Sequence, residues 1–155
     1  MKNRKAFTLV ELLVVIAIIA ILAVAGVVGY TVFISKAHKS NAVRDMSDIQ
    51  TLIIAEDVSN ASFAIADGTI TFSGLYLNED GAIVTDPTDA TAIGTEGAND
   101  DVAYGKAFKY VITNASDPEL KALASKLSYT ASVHKITYTS DESSADWNIA
   151  DNTIE

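Results

Sequence analysis

The sequence predicts an α+β fold. A long N-terminal helix, membrane-spanning in its first half and amphipathic in its second, packs on a small antiparallel β-sheet head with one extra short helix. Three observations lead there. Residues 12–30 carry no charge, which is about the length of helix that crosses a bilayer. Residues 35–60 contain no Pro or Gly and space their apolar side chains at helical intervals. Beyond residue 60, short alternating segments are separated by turn signals such as Asn78-Glu79-Asp80-Gly81.

The 155 residues suffice for one folded head. The net charge is −9, unevenly placed. Lys2, Arg4 and Lys5 precede any acid, whereas residues 61–155 hold five Lys against fifteen Asp or Glu. Such an acidic surface repels phosphate, so direct nucleic-acid binding by the head is not expected. With no cysteine, disulfides, thiolate metal sites and a Cys nucleophile are excluded.

Within the apolar segment, residues 7–34, Glu11 is the single carboxylate. A charge at the centre of a spanning helix costs about 2.5–3.5 kcal/mol even on a lenient insertion scale, so Glu11 is a candidate functional residue. Three readings of the segment compete. A secretory signal would use the basic start and the Ala23-Val24-Ala25 pattern. It would carry an overlong apolar core containing Glu11, and cleavage would leave Val27, Val28 and Phe33 on the mature protein. A plain anchor accounts for the length but not for Glu11. A third reading supplies Glu11 with a partner. A cut between Ala6 and Phe7 frees an ammonium about one helical turn from the carboxylate. Staggered copies could then pair the amine of one chain with the acid of the next, and one buried polar pair would fix their register. The tighter basic cluster at Lys2, Arg4 and Lys5 marks the expected cytoplasmic side, against Lys36, Lys39 and Arg44 at the other end.

The run KAFTLVELLVVIAIIAILA resembles the class III signal of type IV pilins and pseudopilins. In that family a short basic leader ends before a Phe. A Phe-Thr-Leu-x-Glu-Leu pattern and a long apolar helix follow. The likeness is strong over about the first 35 residues and looser over the next 25. It implies a leader at residues 1–6, cleaved between Ala6 and Phe7 by a prepilin peptidase that also N-methylates Phe7. It implies that Glu11 guides assembly by neutralising a neighbour's amine. The implied protein is a non-enzymatic subunit without cofactor, metal or catalytic residue, a single-pass plasma-membrane protein before assembly and an extracellular filament after it. Its implied partners are copies of itself, the peptidase and methyltransferase, the assembly machinery and the membrane. A pseudopilin of a secretion or DNA-uptake machine and a non-polymerising anchored binding protein are the alternatives. Ala6 stands where the family most often has Gly. The family's frequent Pro near Val28 is missing, leaving Gly26 and Gly29 either to loosen the helix or to let helices approach closely.

The spanning helix, residues 7–34, is expected to continue as a stem over 35–60, nearly ~80 Å in all at 1.5 Å per residue. Val43, Met46, Ile49, Ile53 and Val58 form its apolar stripe. His38, between Lys36 and Lys39, is read as an exposed interfacial residue rather than a pH-sensitive contact. Tyr30 and Phe33 are read as interfacial anchors.

In the head, residues 61–155, the segment 69–77, which alternates at first and breaks at Gly74, and the segment AIVT from Ala82 should form a hairpin. A long loop should run from Asp86 to about Asp101. Alternation at Phe108, Tyr110 and Ile112 suggests a strand. Ser116-Asp117-Pro118-Glu119 has capping-box spacing and should start a helix with a Leu120, Leu123, Ala124 and Leu127 stripe. Strands are expected over 132–139, with Ile136 and Tyr138 on one side, and at Trp147 and Ile149. No catalytic constellation emerges. Asp100-Asp101 and Asp141-Glu142 read as solvated loop acids, since neighbours on a strand point apart. A calcium site at Asp141, Glu142 and Asp146 has no matching loop spacing, and Gly94-x-x-Gly97 is too short to hold phosphate. Asn60 and Asn114 fit a glycosylation sequon that carries little weight in a bacterial-looking protein.

Overall fold

The computed structural model describes residues 7–60, 62–93 and 101–155. Helix α1 spans Leu9–Ser59 without a break. It contributes to two compact units, one ending at Ala37 and the other comprising residues 38–155.

In the first unit every described residue from 7 to 33 is exposed. The helix runs unbroken through Gly26 and Gly29, where a methyl group would meet nothing within 4 Å. Thr31 turns its hydroxyl back onto the Val28 carbonyl at 3.0 Å, which hides a polar group on an apolar helix.

The second unit is α+β. Its core begins on α1, where Ala42, Met46, Ile49 and Ile53 are buried at intervals of three to four residues. Val43 is only half-buried, and Val58, expected on the stripe, is 86% exposed. A stripe held at 3.6 residues per turn reaches Glu56 next, and Glu56 is the buried residue at that end.

Strands β1 (Phe63–Ala66) and β2 (Thr69–Phe72) pair antiparallel across Asp67-Gly68, both at positive φ. Asp-Gly suits such a two-residue turn. Segment 69–77 divides around the expected break at Gly74. The first four pair backward with β1, while β3 (Tyr76–Asn78) pairs forward with β4 (Ile83–Val84) as the expected hairpin. Strand β5 (Ala90–Ala92) lies on the other side of β3, inside the expected loop. Gly94-x-x-Gly97 and Asp100 lie outside the described residues.

Helix α2 (Asp101–Thr113) replaces the strand expected at Phe108, Tyr110 and Ile112. Its buried residues, Ala103, Ala107, Phe108, Val111 and Ile112, follow a helical repeat. Val111 is buried where alternation would have exposed it. Gly105 lets α2 lie close on strand β6 (Leu127–Thr130), because a methyl group there would come within 3.3 Å of the Tyr129 carbonyl oxygen.

Helix α3 (Pro118–Ala122) begins one residue later than the capping-box reading. Asp117 is the cap, accepting the N–H groups of Glu119 and Leu120 at 2.8 and 3.1 Å. The helix is short, and Leu127, expected on its stripe, opens β6 instead. A single 3₁₀ turn (Ala131–Val133) occupies the start of the strand expected at 132–139. Strand β7 (Lys135–Thr139) follows with Ile136 and Tyr138 buried, as expected. Strands β8 (Ser144–Asn148) and β9 (Thr153–Ile154) complete a sheet in the order β6-β7-β8-β9.

Side chains distant in sequence tie the unit together. The carboxylate of Glu56, 3% exposed, accepts the Asn60 amide at 3.1 Å and the Ser116 N–H at 3.0 Å. Glu56→Ala should cost about 1–3 kcal/mol, because both donors lose a charged acceptor. A lowered urea midpoint at unchanged slope would show it. On α2, the backbone N–H and hydroxyl of Ser132 donate to Asp101 at 2.7 and 2.8 Å. These bonds hold the Asp101 carboxyl below the ordinary carboxylate range. A carboxyl depressed by folding adds stability above its unfolded pKa, about 3.9 for Asp, and loses it as pH falls through the folded value. Asp101→Asn should therefore destabilise the protein at neutral pH and make progressively less difference toward strong acid, as thermal melts across pH would record.

Candidate functional site

The N-terminal end of α1 gathers the residues singled out in the sequence. Phe7 is 81% exposed just before the helix begins, and Ala6 lies outside the described residues. Glu11 falls in the first turn, where the positive end of the helix dipole favours an anion.

Its carboxylate also has a partner in its own chain. Glu11 Oε2 accepts the Thr8 backbone N–H and the Thr8 hydroxyl, both at 2.9 Å. The Glu11 N–H donates back to Thr8 Oγ1 at 3.3 Å. This is a reciprocal capping box: each residue satisfies a group that the first turn would otherwise leave open. Sequence reasoning overlooked Thr8 in this role, although Thr-x-x-Glu before an apolar run is its signature. Among the described residues no cation lies within ion-pair distance of Glu11. The apolar run that follows makes α1 long and apolar enough to cross a membrane.

Residues 1–27 match the family model described as the prokaryotic N-terminal methylation motif. From Leu9 onward the matched residues lie on the apolar part of α1. The chain is a type IV pilin-like protein. Its motif implies processing by a prepilin peptidase, and its long apolar helix is consistent with a membrane-anchored prepilin. Pilin-family proteins are structural rather than enzymatic. No curated protein and no solved structure matches the chain.

The other candidates in this pilin-like chain resolve into structural contacts. His38 is not a free interfacial residue, since its Nδ1 lies 2.5 Å from Glu142 Oε2 and its carbonyl accepts the Ser143 hydroxyl at 2.9 Å. Asp146 accepts Lys135 Nζ at 2.8 Å and Thr137 Oγ1 at 2.7 Å. Burial raises the Asp146 carboxyl, but these bonds outweigh it and leave its pKa below the ordinary range. Glu142 is turned to His38 and Asp146 to Lys135, so two of the three acids weighed as calcium ligands are engaged separately. Among the described residues no three acidic or imidazole side chains are placed to hold a metal ion. The amides of Asn60 and Asn114 bond to Glu56 and to the Tyr110 carbonyl within the chain.

Proposed function

We propose that this protein is a pilin, a structural subunit that polymerises into a type IV pilus-like surface filament. Its leader, residues 1–6, is cut off between Ala6 and Phe7, and Phe7 is N-methylated. The subunit waits in the plasma membrane and is then drawn into the filament by the assembly machinery. The observation that carries the reading is the unbroken apolar helix at residues 9–33, exposed on every side in the single chain and headed by the methylation motif. Such a surface is stable in lipid or among copies of itself, and not in water. Moving from lipid to neighbouring helices keeps it dry throughout.

In the filament the helices bundle at the centre and residues 38–155 form the outer surface. Glu11 sets the stagger. Oε2 serves the chain's own first turn, while the negative charge of the carboxylate draws the methylated amine of the next subunit into register.

Electron microscopy of cells expressing the protein at native level tests this reading. Long surface filaments labelled by an antibody against residues 38–155 support it. Short periplasmic or wall-confined fibres would make the protein a pseudopilin of a secretion or DNA-uptake machine. Label confined to the membrane would make it a non-polymerising anchored protein.

A further inference from the structure

A cleft of about 570 Å³ opens among β2, the start of α2 and the 3₁₀ turn that follows β6. All the residues that line it belong to the unit of residues 38–155. Tyr129, only 4% exposed, forms part of its wall. Tyr104 is half-buried, packed edge-on to Phe72 at 5.7 Å, and leaves part of its ring to the cleft. Asp101 stands three residues before Tyr104, so the two share one face of α2. Ser132 and the exposed Thr71 add hydroxyls at the rim. His134 also lines the cleft. It closes the 3₁₀ turn in the left-handed conformation, φ 50°. Among the described residues its Nδ1 is the buried side-chain polar atom without a hydrogen-bond partner.

We propose that this cleft binds the ring of a neutral sugar. The volume falls in the range of small-molecule sites, which pair an apolar wall with a few placed polar groups. A pyranose has that same duality. Its C–H face packs on an aromatic ring, and its hydroxyls both donate and accept. Tyr104 supplies the ring. The Asp101 oxygens each accept one bond from Ser132, and the Ala131 N–H also acts on the carboxylate, which still has acceptor capacity for a sugar hydroxyl. Anions are disfavoured, because among the described residues no Lys or Arg lines the cleft and Asp101 does. A cation gains little from a carboxylate that is open to water and already engaged by Ser132. The inference does not require the chain to form filaments.

The full chain, dissolved in a sugar-free polyoxyethylene detergent, is titrated by calorimetry with glucose, galactose and N-acetylglucosamine. Putrescine and tetramethylammonium serve as cationic probes. Saturable millimolar binding of at least one sugar is expected. Tyr104→Ala should weaken it about tenfold or more, one stacked ring being worth at least that factor in affinity. Thr71→Arg, at an exposed position on the rim, should block binding while leaving the thermal melt unchanged, which separates loss of the site from loss of the fold. Saturation by no sugar, binding of the cations alone, or full-strength sugar binding in a folded Thr71→Arg protein would each overturn the proposal.

Discussion

Glu11→Ala is expected to leave membrane insertion intact and to abolish or disorder filaments. Insertion depends on the apolar run, and removing a charge from it only eases transfer into lipid. Assembly in register depends on the charge. The structure adds a complication, because Glu11 also caps α1 through Thr8. Losing a cap costs about 1 kcal/mol, too little to dissolve a 51-residue helix. Two further substitutions separate the roles. Glu11→Gln keeps a side-chain oxygen at the third helical position, where Gln also serves a capping box, but it discards the charge. Thr8→Val weakens the cap and keeps the charge. The account expects Glu11→Gln to fail like Glu11→Ala and Thr8→Val to assemble. Filaments counted by microscopy, against protein recovered in the membrane fraction, check all three. Normal filaments from Glu11→Gln would reduce Glu11 to a helix cap.

Phe108→Ala should be among the most damaging substitutions in residues 38–155. Its side chain is fully buried, with ring neighbours Phe63 at 6.5 Å and Tyr129 at 5.8 Å. Emptying such a site costs about 3–5 kcal/mol, a large share of the ~5–15 kcal/mol that holds a domain together. Tyr110→Ala should cost much less, since Tyr110 is only half-buried. The contrast tests the helix directly, because a strand would have buried Phe108 and Tyr110 alike. Fluorescence of Trp147, the single tryptophan and itself buried, reports urea unfolding of both proteins in detergent. Equal losses would contradict the helical assignment of residues 101–113.

Features written along one stretch of chain were legible in the sequence. The apolar run, Glu11 within it and the repeat from Met46 to Ile53 need only local spacing. So did the turn at Asn78–Gly81 and the buried pair Ile136 and Tyr138. Features that depend on distant partners were not. Glu56 looks like an ordinary surface acid until Ser116, sixty residues on, is brought to it. His38 has the same problem with Glu142. Other misses had local signals that lost a competition. Six alternating residues at 108–113 fit a strand as well as a helix, and only the whole run from Asp101 shows the helical repeat. Asp67-Gly68 is a local hairpin-turn signal between Phe63–Ala66 and Thr69–Phe72, and the expected strands did not include it. Thr8 was in plain view, and attention to the charge of Glu11 obscured its hydrogen bonds.

The central claim concerns how the chain begins once it is mature, and intact-mass and N-terminal peptide spectrometry of protein purified from cells measures that directly. The account predicts that residues 1–6 are gone and that the first residue is Phe7 with a methylated amine, in material that sediments as filaments. A chain that still starts at Met1 and remains in the membrane as single subunits would contradict it.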